Sequence, residues 1–350
     1  MPEQRPGNRP TLEAVATRAG VSRATVSRVV NGGDGVRAHL ADKVREAVRD
    51  LGYVPNPAAR TLVTRRTGAV AVIIAEPETR IFSDPFFSRQ VRGISKELTA
   101  HDTQLVLLLV EDRGDYERIE RYLAGGHVDG ALAFSLHADD PLPEITRRIG
   151  VPTVYGGRPG WTDGSGEPGR SGGVAFVDAD NRGGAREAVR YLVAQGRERI
   201  AHISGPLDQT SAADRLSGYR DVLPAAGAEL VAEGDFTAAG GARAMGELLD
   251  RCPGIDAVFA ANDLMATGAL RVLRERGRTV PAQVAVVGFD DAEAVAPIAD
   301  PPLTTVRQDI EGMGRLMARL LLETLGGGHE QRAAPGSVVT ATSLVRRASA

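Results

Sequence analysis

Side chains able to read a polyanion are concentrated near the N-terminus. In TLEAVATRAGVSRATVSRVVNG, residues 11–32, Val26, Val29 and Val30 fall on one face of a helix and leave Ser22, Arg23, Ala24, Ser27 and Arg28 facing outward. Small polar groups and guanidinium forks on a short exposed helix suit the major groove of DNA. Further along, Asn262 and Asp290 end apolar runs, AVFAA and VAVVGF, where polar side chains have no packing purpose, and Arg215 carries a fork able to hold two adjacent hydroxyls. This is the chemistry of binding. No phosphate-cradling P-loop occurs. The strings matching G-x-S-x-G (169–173) and G-x-G-x-x-G (164–169) lie in a long Gly-rich stretch that reads as a loop, not at the strand-to-helix turn that an elbow or a dinucleotide site needs. Asp290 and Asp291 are adjacent, so on a strand they point to opposite faces and make a poor catalytic pair. The single cysteine, Cys252, forms no internal disulfide and suits a reducing compartment, and the six histidines are scattered, so neither a zinc site nor a cofactor is expected.

The elements that would position the outward face are legible. Thr11 can cap a first helix with Leu12, Val15 and Ala16 inward, Ala19-Gly20-Val21 supplies a tight turn, and Ser22 caps the second helix. A third helix near Leu40–Leu51 would pack Leu40, Val44, Val48 and Leu51 against the first two, with Gly52 ending it. After Tyr53, Pro55 and Pro57 punctuate the chain, and Ala58-Ala59-Arg60-Thr61-Leu62 is a short potential helix. Its alanines would let two copies in a dimer approach closely. Leu62 is either an ordinary exposed leucine or a wedge for a minor groove. Charge agrees with a polyanion met at one end: up to Arg66 twelve basic residues face six acidic ones, a net of +6 that leaves −9 for the rest of a chain totalling −3.

From Gly68 the pattern becomes short apolar strands alternating with amphipathic helices, beginning AVAVIIA (69–75), helix 86–100, QLVLLLV (104–110) and continuing to VAVVGF (284–289). Near-continuous apolar strands between helices imply parallel sheets covered on both faces, and some 280 residues of alternation imply two lobes. Residues 156–173 (GGRPGWTDGSGEPGRSGG) read as a long loop beside the presumed cleft, disordered or functional. The polar N-terminus has no apolar secretory core and no run approaches the length of a membrane helix, so a cytoplasmic location is expected.

The chain resembles the lactose-repressor (LacI/GalR) family from Thr11 to about Arg347. The likeness rests on T-L-x-x-V-A-x-x-A-G-V-S-x-x-T-V-S-R-V-V-N and Y-V-P-N-x-x-A-R-x-L in the head. In the body it continues through DPFF (84–87), VDADNRGGAREAVRYL (177–192), ISGP (203–206), DRLSGY (214–219), AANDLMATGAL (260–270), VGFDD (287–291) and PPLTTVRQD (301–309). The resemblance implies an all-α helix-turn-helix head with a hinge helix, joined to an α/β body of two Rossmann-like lobes of the periplasmic-binding-protein kind. It implies Arg23 and Ala24 at the specificity positions, Arg28 reading a base, and Leu62 wedging a central step. Thr11, Ser22, Thr25, Ser27 and Asn31 would make positioning contacts, with Asn56, Ala58 and Ala59 in the hinge segment. The expected divisions are an arm at 1–10, the DNA-binding domain at 11–55, hinge and linker at 56–67, and a body at 68–346. Within the body the N-lobe takes about 68–177 and 307–328, the C-lobe about 178–306 and 329–346, with hinge crossings near 177–181 and 306–309.

Effector contacts are expected at the strand ends facing the interlobe cleft: Phe86 and Phe87 as apolar faces unless they are core, Arg215, Asn262 and Asp290, and, by the resemblance, Phe236 and Arg158. Family members often carry an Asp before that Arg where this chain has Gly157, and Asp180 reads equally as a helix cap. The expected function is a dimeric repressor of carbohydrate-utilisation genes, on a palindromic operator, released by a sugar. A purine corepressor and a sugar-binding protein without a regulatory role are the alternatives, and the attached head argues against the second.

Overall fold

Local chemistry makes the head. Helix α1 (Leu12–Ala19) begins at Thr11, whose hydroxyl accepts from Ala14 N at 3.2 Å, and ends at Gly20 with φ 66°. Helix α2 (Arg23–Val30) begins after Ser22, whose Oγ accepts from Thr25 N at 3.1 Å, and α3 (Ala38–Leu51) ends at Gly52. Val15, Val26 and Val44 are fully buried, with Ala47 and Tyr53 beside them. Leu40, expected in this core, is outside it, and Ala41 and Ala47 face inward instead. The facing helix α1 contributes Ala16 and Ala19, so α3 comes close enough for alanines to fill the gap.

The computed structural model describes residues 10–30, 35–54, 66–159, 174–223, 230–326 and 336–350. The arm, Asn31, most of the 156–173 loop and the hinge segment with Asn56, Ala58, Ala59 and Leu62 lie outside the described residues. The chain divides into two units, Met1–Thr67 and Gly68–Ala350.

The second unit holds two lobes. The first is built from β1 (Ala69–Ala75), α4 (Glu78–Ser83), α5 (Pro85–Ala100), β2 (Gln104–Val110), α6 (Arg113–Ala124), β3 (Gly130–Phe134), α7 (Leu142–Ile149), β4 (Thr153–Gly156) and β5 (Ala175–Ala179). The second begins with α8 (Asn181–Ala194), β6 (Ile200–Ser204), α9 (Thr210–Val222), β7 (Val231–Glu233) and α10 (Ala238–Arg251). It continues with β8 (Ala257–Ala260), α11 (Asp263–Glu275), β9 (Ala285–Asp290) and β10 (Thr304–Arg307). The chain then returns with α12 (Ile310–Gly326), β11 (Val338–Thr340) and β12 (Ser343–Val345). The sheet orders are β11-β5-β4-β3-β1-β2 and β12-β10-β9-β8-β6-β7. The strands pair in parallel except β12, which runs antiparallel to β10. Apolar clusters cover both faces of each sheet, as continuous apolar strands require.

Three features differ from the expected layout. Val338–Thr340, expected in the C-lobe, pairs with β5 in the N-lobe sheet, so the third crossing between lobes falls between β11 and β12 and not near residue 328. The first and third crossings lie side by side: Asp180 N donates to Thr340 O at 2.9 Å and Thr342 Oγ1 to Asp180 O at 3.4 Å. The body also runs past residue 346. Ser349 is fully buried, its hydroxyl donating to Val286 O and accepting from Thr304 N, which fixes the C-terminus to the sheet. Finally, α4 and α7 are short helices not anticipated among the strands. Among the described residues no helix is long and apolar enough to cross a membrane.

Candidate functional site

On the head, Arg23, Ala24 and Arg28 are exposed on α2 with Ser22 just ahead of it, while Thr25 and Ser27 are half-buried. Ser22 and Thr25 share a 2.9 Å hydroxyl contact, and Arg23 pairs with Glu13 of α1 at 3.2 Å, so the outward face is held in place by neighbours on its own unit. Thr11 accepts from Ala14 N as the cap of α1, and its own O–H is still able to donate.

The second site is a cleft between the lobes, enclosing about 880 Å³ including its mouth. Arg215 of α9 lies at its heart, 5% exposed. Its Nε donates to Asn181 Oδ1 at 2.9 Å, Nη1 donates to Ala261 O and lies 3.8 Å from Asp290 Oδ1, and the guanidinium stacks 3.7 Å from the Phe289 ring. Asp290 also accepts from Gln308 Nε2 at 2.6 Å, from the second crossing. Burial pushes the Asp290 carboxyl up to about 7 against the pull of Arg215, and burial likewise raises Asp84 and Asp178 in the same cleft.

Phe236 lies against this group with φ 63°, and Ser135 (φ 62°) and Asp290 (φ 107°) also line the cleft in the left-handed region. Three non-glycine residues in the left-handed region thus gather in one cleft, where the surrounding structure must hold them. Asn262 lines the cleft, but it has a structural task that the sequence did not reveal. It caps α11 by accepting from Met265 N at 2.8 Å and donates to Phe236 O at 2.9 Å, so it holds the aromatic ring in place.

Phe86 lines the cleft, whereas Phe87 does not. Phe87 is 1% exposed in the N-lobe core, stacked on Phe134 at 6.3 Å, because adjacent residues of a helix cannot share a face. Arg158 lines the cleft with its guanidinium paired to Asp214 of the C-lobe at 2.5 Å, a tie between lobes. Gly157 has φ 97°, a conformation that disfavours the Asp often found there in the family. Asp180 is a cap, accepting from Gly183 N at 2.8 Å. Residues the sequence reading passed over are Arg80, Asp84, Gln90, Asn181, Gln209 and Gln308, all lining the cleft. Gln308 falls in a crossing already identified from PPLTTVRQD, and that was the signal available.

A helix-turn-helix head joined to a two-lobed, cleft-bearing body defines a ligand-responsive DNA-binding regulator. Family profiles agree: residues 11–56 match the bacterial regulatory proteins of the lacI family and residues 189–350 a periplasmic binding protein-like domain. The chain is 50% identical to the HTH-type transcriptional regulator CelR of Thermobifida fusca over 345 residues, covering 97% of this chain and 98% of that one. It is 34% identical to the ribose operon repressor of Escherichia coli K12 over 322 residues, covering 90% and 93%. Among solved structures, a CelR–cellobiose complex matches with a TM-score of 0.75 at 48% identity, covering 98% of this chain and 100% of that one. The lac repressor dimer bound to operator and the anti-inducer ONPF matches at 0.81 and 28%, covering 97% and 98%. The chain belongs to the LacI family of bacterial regulatory proteins, and it is a DNA-binding transcriptional repressor of that family.

Proposed function

We propose that this repressor binds a palindromic operator as a homodimer and is released by an uncharged disaccharide of glucose, the cellobiose type, held in the interlobe cleft. The observation that carries the effector reading is the charge balance of the cleft. Three guanidinium groups (Arg80, Arg158, Arg215) and three carboxyl groups (Asp84, Asp178, Asp290) line it, interspersed with side-chain amides and the rings of Phe86 and Phe236. These groups offer donors and acceptors to hydroxyls. Because Arg80 is paired with Glu76 and Arg158 with Asp214, no strong positive field is left for a phosphorylated or anionic ligand even while Asp290 holds its proton. The relative of known structure was solved with cellobiose, which fits this chemistry. Arg215 forks a pair of hydroxyls, Asp290 and Gln308 take the neighbouring ones, and Phe86 and Phe236 supply faces for the rings. On the head, Arg23, Ala24 and Arg28 read base edges while Ser22, Thr25, Ser27 and Thr11 fix the position on the phosphates. The charge held on this head supports the same reading.

The test is fluorescence anisotropy of labelled upstream DNA, titrated with protein and then with cellobiose, other sugars and purines. Release by a neutral glucoside at micromolar to millimolar concentration is the expected result, and tightening by a purine overturns the effector assignment. Arg215→Lys keeps the charge but loses the fork, and is expected to weaken effector response about 30–150-fold, equivalent to about 2–3 kcal/mol, while operator affinity without sugar stays unchanged.

A further inference from the structure

We propose that His137 is a positioning residue that couples closure of the cleft, and hence effector binding, to uptake of a proton. The inference concerns the regulation of the sugar site and rests on that reading.

His137 follows β3 in the N-lobe, and its ring is held by both lobes. Nδ1 lies 2.7 Å from Asp208 Oδ2 of the C-lobe. Nε2 lies 3.0 Å from Gln209 Nε2 of the C-lobe and 3.6 Å from Glu76 Oε1 of the N-lobe. Gln209 donates to Glu76 Oε1 at 2.7 Å, Ser135 donates to the same oxygen at 2.6 Å, and Arg80 pairs with Glu76. Arg80, Ser135 and Gln209 all line the cleft. The cluster is thus a second interlobe tie, besides Arg158–Asp214, and it reaches the ligand through those three side chains.

The charges around His137 are mostly negative. Glu76 and Asp208 are in contact, and Asp139 and Asp140 follow on its own loop. The neighbouring recess adds Glu111, Asp112, Glu117 and Glu120 against Arg113 and Arg148, and Arg80 stands behind Glu76. The carboxylate of Glu76, 3.6 Å away, and then the hydrogen bond to Asp208 raise His137 to about 9 although burial opposes the charge. Parting the lobes removes Asp208 with the C-lobe but leaves Glu76 in place, so the ring falls only part of the way from about 9 towards its ordinary value. A group whose proton is held more tightly in the closed state favours closure below the lower value and loses that contribution as pH rises through the higher one. Between the open-state value and about 9, closing the cleft therefore takes up part of a proton.

The hydrogen bonding gives this a local meaning. With Nδ1–H donated to Asp208, the neutral ring accepts at Nε2 from the Gln209 amide. The cation has no lone pair there and turns its Nε2–H to Glu76, so the Gln209 amide is shared between Glu76 and the occupant of the cleft.

The test is calorimetric titration of the full-length protein with cellobiose at pH 8 in two buffers of different ionisation enthalpy. Uptake of a fraction of a proton per site is expected, with affinity weakening a few-fold between pH 7.5 and 9. Asp290 titrates near the same range, so the comparison is with His137→Gln, which keeps a neutral donor for Asp208 but cannot ionise. Equal proton uptake and an equal pH slope in the two proteins overturn the proposal. No binding of any sugar would instead overturn the effector reading, and the ring is then titrated by NMR in the ligand-free protein, its signal assigned by its loss in His137→Gln. A titration midpoint that falls when Asp208 is replaced by Asn sustains the coupling, and one unmoved by Asp208→Asn removes it.

Discussion

Asp290 shows how a residue at a binding site carries a cost in the empty protein. It is 7% exposed, and Arg215 and Gln308 do not fully replace the water it has lost, which is why its carboxyl retains a proton up to about 7. The unfolded chain gives up that proton near pH 4, so the stability contributed by the neutral form is present below about 4 and is lost as pH rises through 7. Asp290→Asn can accept from Gln308 and has no proton to lose. Its stability relative to the parent should rise by roughly 2–3 kcal/mol between pH 5 and pH 8, seen as a widening gap in Tm, and a gap constant with pH would count against the burial argument. Asp290 could be picked out from sequence because it ends an apolar run, and the same is true of Asn262. Arg80, Gln90 and Gln209 could not. They stand on helices or in a loop among other polar residues, and only the closing of one lobe on the other gives them a common purpose. Phe86 and Phe87 were inseparable by composition, and the helical turn of about 100° per residue decided between them.

At the scale of elements, the longer strands and helices follow from the period of the apolar residues. AVAVIIA is β1 from first to last residue, and QLVLLLV is β2. Among the pieces that escaped, β7, β11 and β12 have three residues each, too few for any period, and pairing with a distant strand makes them strands. The 17-residue α12 is a long element that the sequence reading passed over. Helix α12 is held against α5 through glycines that let the backbones approach. A Cβ on Gly93 would stand 2.1 Å from the carbonyl oxygen of Glu311, and one on Gly314 2.4 Å from that of Gln90. Gly93→Ala must force the pair apart, with an expected destabilisation of about 1–3 kcal/mol. Thermal unfolding followed by circular dichroism should report it, while non-specific DNA binding by the separate head unit persists. Unchanged Tm would mean that the helices are not packed as closely as the structure has them.

For the whole molecule, a basic head on an acidic body separates the task of finding DNA from that of sensing a ligand. Non-specific affinity then rests on the charges of the head, and specificity on a few groups, Leu62 among them in the family reading. Leu62→Ala is expected to lower operator affinity at least tenfold and affinity for random DNA far less, measured by anisotropy at fixed salt. Equal losses would sink the wedge. The three crossings between lobes have a further consequence, for the order of synthesis. The N-lobe begins at residue 69, yet its sheet is completed by β11 at 338–340 and one face is covered by α12 at 310–326. A nascent chain on the ribosome can close its head early, but the first lobe must wait for the last tenth of the message, its apolar face bare meanwhile. A product truncated before residue 310 would lack that cover, and chaperones and proteases would meet the exposed sheet long before any operator did.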